Sequence, residues 1–180
     1  MTRKVTTRVL IFGRPGVGKT TLVRRVSECF PGFFRGFYTE EVRERNVRTG
    51  FHIVTLSGER GILAMRETSS SWRVGKYAVF VEEFEKVALP ELEEARKLHA
   101  PCLVDELGKM EFLSQRFVEI LRALWEETPF LLATACFPEI PQVREFLRER
   151  KIHRFLLTPQ NREALLNQVI QLVATFTKGG

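Results

Sequence analysis

The sequence predicts an α/β fold: a mostly parallel sheet covered by helices on both faces, with an antiparallel β meander inserted into it. Three observations carry this reading. Thr7-Arg8-Val9-Leu10-Ile11-Phe12 is a short apolar run that leads through a glycine-rich loop into an amphipathic segment, giving the order strand, loop, helix. From Cys102 to Phe176, apolar strands alternate with stretches of helical spacing, a rhythm that builds parallel sheets with helices on each side. Between the two, roughly residues 36–81 carry short aromatic and β-branched runs separated by turns. At 180 residues the chain is expected to form one domain over 1–180, long enough to close a substantial core.

The first helix takes in Thr21-Leu22-Val23-Arg24-Arg25-Val26, and Pro31-Gly32 breaks the chain after it. Strands are then expected at 36–42, 51–56 and 62–64, with turns at 46–50 and Ser57-Gly58. A serine-rich loop at 68–71 precedes a strand at 77–81. Residues 82–98 have helical spacing, and Pro90 predicts a kink or restart near Leu89. The second half reads as strand 102–105, helix 112–127, strand 130–135, helix 141–150, strand 152–157 and helix 159–176, with Pro159 in the last helix's first turn.

The glycine-rich loop is Gly13-Arg14-Pro15-Gly16-Val17-Gly18-Lys19-Thr20, followed by Thr21. This is a complete phosphate-binding loop, and each residue type has its own task. The glycines let consecutive N–H groups point at phosphate oxygens. Lys19 brings a cation to the β- and γ-phosphates, and Thr20 offers a hydroxyl to Mg²⁺. The helix that follows aims its positive end at the same anion.

A partner motif lies in Leu103-Val104-Asp105-Glu106. The apolar residues bury a strand, and Asp105 emerges at its carboxyl end, suited to hold Mg²⁺ beside Thr20. Glu106 can orient and deprotonate a water aimed at the γ-phosphate. Asp105-Glu106-Leu107-Gly108 also matches the Asp-x-x-Gly of GTP switches, but no Asn-Lys-x-Asp is present to read guanine. Lys109 is a second cation for the phosphates or a solvated lysine. Thr134 is a γ-phosphate sensor or a strand cap. Thr158-Pro159-Gln160-Asn161-Arg162 is a base-contacting loop or a plain helix cap.

Charged residues make up 28% and hydrophobic residues 44%, the balance of a soluble protein, and no stretch has the length and hydropathy of a membrane span. Met1-Thr2-Arg3-Lys4 shows no signal-peptide core, which points to the cytoplasm. Net charge is +6, but basic residues are interleaved with acids, as in Arg148-Glu149-Arg150-Lys151, which argues against a nucleic-acid surface. Cys29, Cys102 and Cys136 are widely spaced in apolar neighbourhoods and are expected as buried, reduced thiols. His52, His99 and His153 have no metal-like spacing; Trp72 and Trp125 read as packing groups.

Four segments together carry a family resemblance: 13–21, Gly-Phe-Tyr-Thr-Glu-Glu-Val-Arg at 36–43, Val-Asp-Glu-Leu-Gly-Lys-Met-Glu at 104–111, and Thr-Pro-Gln-Asn-Arg at 158–162. With them the chain resembles, nearly end to end, the small nucleoside-triphosphatases first known from thermophiles and represented in vertebrates. The resemblance implies a three-layer P-loop NTPase fold of RecA/AAA-like type, with an extra strand between the phosphate-loop strand and the Asp105 strand. It implies Mg²⁺-dependent hydrolysis of several NTPs. By position, residues 13–20 contact phosphates and 103–110 (Leu103 through Met110) form the other nucleotide-contacting segment. Leu107 stands where the family usually has Ile, and Gln160 where it often has Glu.

The reading is therefore an NTP phosphohydrolase with broad base specificity, acting as a monomer or weak oligomer without nucleic acid or membrane. Lys19 and the loop amides hold phosphates, Thr20 and Asp105 manage Mg²⁺, Glu106 positions water, and Arg43 and Lys109 are candidate charge stabilisers. Arg116, Arg144 and Arg162 are further candidates for an arginine finger. The rivals are a nucleotide or small-molecule kinase and a nucleic-acid-stimulated ATPase.

Overall fold

A computed structural model of the chain describes residues 6–148 and 150–179. The N-terminal Met1-Thr2-Arg3-Lys4 segment and Glu149 lie outside the described residues. The chain forms β1 (Thr7–Gly13), α1 (Lys19–Cys29), β2 (Arg35–Glu44), β3 (Val47–Thr55), β4 (Arg60–Met65), β5 (Trp72–Val74), β6 (Tyr77–Val79), α2 (Val81–Lys97), β7 (Cys102–Leu107), α3 (Gln115–Glu127), β8 (Phe130–Cys136), α4 (Pro141–Phe146), β9 (His153–Leu156) and α5 (Arg162–Lys178). The nine strands of the described residues join one sheet in the order β5-β6-β4-β3-β2-β7-β8-β1-β9. From β2 to β9 the neighbours pair in parallel; from β2 to β5 they pair antiparallel. The meander thus extends the parallel sheet, and β8 is the strand that separates β1 from β7.

The central strands are apolar along their whole length because both faces are covered. In β1, Val9 and Ile11 pack with Val23 and Val26 of α1 and Leu165 and Val169 of α5. Leu10 and Phe12 point the other way, into a layer with Phe84 and Leu92 of α2 and Phe117 and Leu121 of α3. No helix of the described residues is long and apolar enough to cross a membrane.

Several expected boundaries move. The turn after β2 is tighter than expected: Arg45 and Asn46, at φ 46° and 64°, make it alone, and β3 already runs from Val47. β5 is an added short strand at Trp72–Val74, and Val81 belongs to α2 rather than to β6. Helix α2 runs through Pro90 without interruption. Pro90 is exposed, so the carbonyl of exposed Lys86 that loses its partner faces water. The helix expected over 112–127 is split. Glu111–Leu113 is a 3₁₀ turn, and Ser114 caps α3 by accepting from the Phe117 N–H at 3.0 Å. α4 ends at Phe146 rather than Arg150, and α5 starts at Arg162, leaving Pro159 in the preceding turn.

Candidate active site

Residues 14–18 link β1 to α1. Gly18 precedes the helix at φ 106°, a backbone region that residues with a Cβ avoid, and this lets the loop curl over the helix N-terminus. Lys19 is almost buried, and its Nζ donates to the carbonyls of Gly13 at 2.9 Å and Arg14 at 3.3 Å. The ammonium therefore sits in the concavity of the loop, 3.5 Å from Glu106 Oε2. The Thr158–Arg162 segment braces this loop from behind. Arg162 Nε donates to the Val17 carbonyl at 3.0 Å, and Asn161 Oδ1 accepts from the Thr158 N–H at 2.8 Å.

Asp105 stands near the carboxyl end of β7 with none of its surface exposed. Three threonines from three elements hold its carboxylate. Thr20 of α1 donates to Oδ2 at 2.8 Å, Thr39 of β2 donates to Oδ2 through its N–H at 3.2 Å and its hydroxyl at 3.3 Å, and Thr134 of β8 donates to Oδ1 at 2.6 Å. Thr39 takes this part because the β2/β7 ladder stops at Phe37/Val104. Beyond that point the carboxylate replaces a strand neighbour as acceptor.

Glu106, the next residue, reaches into the open space beside Lys19. Its Oε1 accepts from the Cys136 thiol at 3.1 Å. Burial pushes the Glu106 carboxyl above the ordinary carboxylate range; Lys19 opposes the shift, the Asp105 charge adds to it, and the Cys136 bond opposes it. Glu111 lies close by and is 5% exposed. Burial, then the charge of Glu106, pushes its carboxyl well above the usual value. The cysteines differ from the expectation of three buried thiols. Cys29 is exposed and Cys102 buried, while Cys136 is half-buried against Glu106; all three are unpaired. Burial lifts the Cys102 thiol to about 12, and burial together with the Glu106 charge lifts Cys136 to about 12.

A cleft of about 940 Å³ opens over these groups. Pro15, Gly16, Gly18, Lys19, Thr20, Thr21, Glu106, Gly108, Lys109 and Met110 line it, so the two sequence motifs meet at one site. The side chains of Leu103, Val104 and Leu107 lie in the core, at most 1% exposed, and support the cleft from below. Val17 is likewise buried. Arg43 stands on the meander wall, its guanidinium paired with Glu41 at 2.6 Å. Arg116 lies elsewhere: it pairs with Glu85 at 3.2 Å and lines a separate groove of about 640 Å³ between α2 and α3. Arg144 donates to the Glu139 carbonyl at 3.4 Å, and Arg162 is committed to the phosphate loop.

Sequence reasoning gives no chemical role to Thr39 or Cys136, and places Glu111 only as an extension of the 104–111 motif. Thr39 falls in a segment that does stand out, 36–43, but its register against Asp105 depends on where the β2/β7 ladder ends. Cys136 reads as one more apolar position at the end of a strand.

The oxygen donors fit a hard divalent cation. The Thr20 hydroxyl and the Asp105 carboxylate lie 2.8 Å apart beside the phosphate loop. Among the described residues no cluster of three or more His, Cys, Asp or Glu forms a protein-only cage. Such a pair suits a cation that shares its ligands with substrate phosphates.

A family model described as NTPase matches residues 8–170. The nucleoside-triphosphatase THEP1 of Thermotoga maritima is 40% identical over 172 residues, covering 96% of this chain and 98% of the relative. The human cancer-related nucleoside-triphosphatase is 37% identical over 186 residues, covering 94% and 98%. The crystal structure of THEP1 from the hyperthermophile Aquifex aeolicus superposes with a TM-score of 0.83 at 37% identity, over 92% of this chain and 98% of that one. Matched along nearly its whole length in sequence and in fold, the chain belongs to this NTPase family of P-loop proteins.

Proposed function

We propose that this protein hydrolyses nucleoside triphosphates to the diphosphate and phosphate, with Mg²⁺ and little preference among bases. The observation that carries the reading is the placement of Glu106 at the open end of the phosphate loop, 3.5 Å from Lys19. The loop amides and Lys19 bind the β- and γ-phosphates. Thr20 and Asp105 would hold Mg²⁺, which supplies charge neutralisation at the phosphate oxygens when bound. Glu106 takes the proton of the attacking water, and a carboxyl with a raised pKa is a stronger base for that purpose. Lys109 and Arg43 line the same cleft and serve as charge stabilisers, Arg43 while sharing its guanidinium with Glu41. Residues 1–180 act as one domain, a reading supported by the single continuous sheet. The relatives' name as nucleoside-triphosphatases supports the same activity here.

The test is a steady-state phosphate-release panel over the common NTPs, with no acceptor and no polynucleotide. Each NTP should be turned over, with preferences below about a thousandfold, roughly 4 kcal/mol. Lys19→Ala should abolish release with the fold intact. Release that needs an added acceptor, or that rises more than about tenfold with DNA or RNA, would replace this reading by the kinase or the nucleic-acid-stimulated ATPase.

A further inference from the structure

The cleft is lined by more residues than a nucleotide bound in this way engages. Lys19 and Thr20 reach Glu106 and Asp105, so the γ-phosphate end of a bound NTP points toward β7. In that orientation the sugar and base trail away from β7, past Thr21 in the first turn of α1. Yet the same cleft continues beyond Glu106 along the meander, lined there by residues of β2, β3, β4 and β5.

That extension has its own chemistry. Phe51, Leu63, Val74 and Met110 make an apolar wall. The Phe51 ring is held edge-on by Tyr77, with centroids 5.3 Å apart, and the Arg48 guanidinium lies over it at 5.4 Å. Two cations, Arg43 and Arg48, stand at this end beside Glu41, which pairs with both. Glu40 on the same wall is taken up by Arg24 and Arg60, so Arg43 and Arg48 share the single carboxylate of Glu41, and Arg48, which has no part at the γ-phosphate, keeps positive charge for a ligand. A planar guanidinium over an aromatic ring, next to apolar side chains, is a surface on which a flat ring stacks while its anionic group meets the cations.

We propose that the meander side of the cleft binds a small organic anion carrying a planar ring, next to the γ-phosphate and at the same time as the nucleotide. The proposal rests on the nucleotide-binding reading given under Proposed function. Because the extension lies past Glu106, such a ligand leaves the phosphate loop free. The anion is a phosphate ester or a carboxylate, and the ring separates it from free phosphate.

Calorimetric titration tests this on protein saturated with Mg²⁺ and a non-hydrolysable ATP analogue. The probes are phenyl phosphate, benzoate and, as the ringless control, inorganic phosphate. Phenyl phosphate or benzoate should bind saturably at one site, at least tenfold tighter than inorganic phosphate. Arg48→Gln and Phe51→Leu should each weaken that binding at least tenfold, while affinity for the ATP analogue stays within twofold, which also shows that both variants fold. Absence of saturable binding by both ring probes, equal binding of inorganic phosphate, or binding unaffected by both substitutions would overturn the proposal. Failure of the ATP analogue to bind the unmodified protein would instead overturn the nucleotide reading on which it rests.

Discussion

Thr134 donates a 2.6 Å hydrogen bond to Asp105 across the β7/β8 boundary, both side chains fully buried. The bond turns one carboxylate oxygen into the sheet and leaves the other facing Thr20 and Thr39. Thr134→Val keeps the shape and removes the donor. A buried carboxylate oxygen then loses its partner, and the orientation of the Mg²⁺ site relaxes. Hydrolysis by the variant should need roughly 10–100-fold more Mg²⁺ for half-maximal rate. A Mg²⁺ titration at saturating NTP gives the answer; an unchanged midpoint would remove Thr134 from the site.

Glu106→Gln separates binding from chemistry. The amide keeps the size of the side chain and still meets Cys136, but it cannot accept a proton from water. Nucleotide affinity should stay near that of the parent, while single-turnover hydrolysis falls at least about a hundredfold. Near-full turnover would shift the base elsewhere in the cleft.

The buried Glu111 predicts how stability depends on pH. Its carboxyl is raised well above the ordinary 4.5, so the folded protein holds a proton that the unfolded chain has already released. This contribution is fully present below pH 4.5 and is lost as pH rises through the folded-state value. In ligand-free urea melts, the unmodified protein should therefore lose stability relative to Glu111→Gln as pH rises from 4.5. Parallel curves for the two proteins would contradict the burial argument.

Among the described glycines, Gly36 has the least room for a Cβ. Its φ is 128°, and a Cβ built there would stand 1.9 Å from the Leu103 carbonyl of β7. Strain of this backbone type costs about 1–3 kcal/mol by itself, and the clash with main chain adds to it. Gly36→Ala should lower the urea midpoint by the equivalent of more than about 3 kcal/mol, with the slope unchanged. A loss below about 1 kcal/mol would mean that β2 can move away from β7 at little cost.

The parts that could be read in the sequence are those set by local spacing. Gly13 to Thr20 requires strand, loop and helix around it, and the structure has them. Asp105 and Glu106 follow an apolar run whose end fixes where they emerge. The meander was visible as a set of β-rich runs, but β5 was not, because Trp72-Arg73-Val74 becomes a strand only by pairing with β6. Pro90 misled in the opposite direction, since its effect depends on which face of α2 meets water. The clasp of threonines around Asp105 draws on positions 20, 39 and 134, and nothing local links these; the β2/β7 and β7/β8 pairings do.

The four meander strands join the rest of the sheet through β2 alone, and β2 touches β7 in three register pairs before Thr39 turns to the carboxylate. The attachment is narrow and lies at its root, whereas the hairpin of β5 and β6 lies at the far edge of the sheet. The outermost strand, β5, is thus an exchangeable edge. β6 is not part of it, because Tyr77 and Val79 pack in the same core as Phe84 of α2, but β5 can be shortened or replaced, and such swaps would reshape the outer wall of the cleft at Val74 while leaving the phosphate loop as it stands.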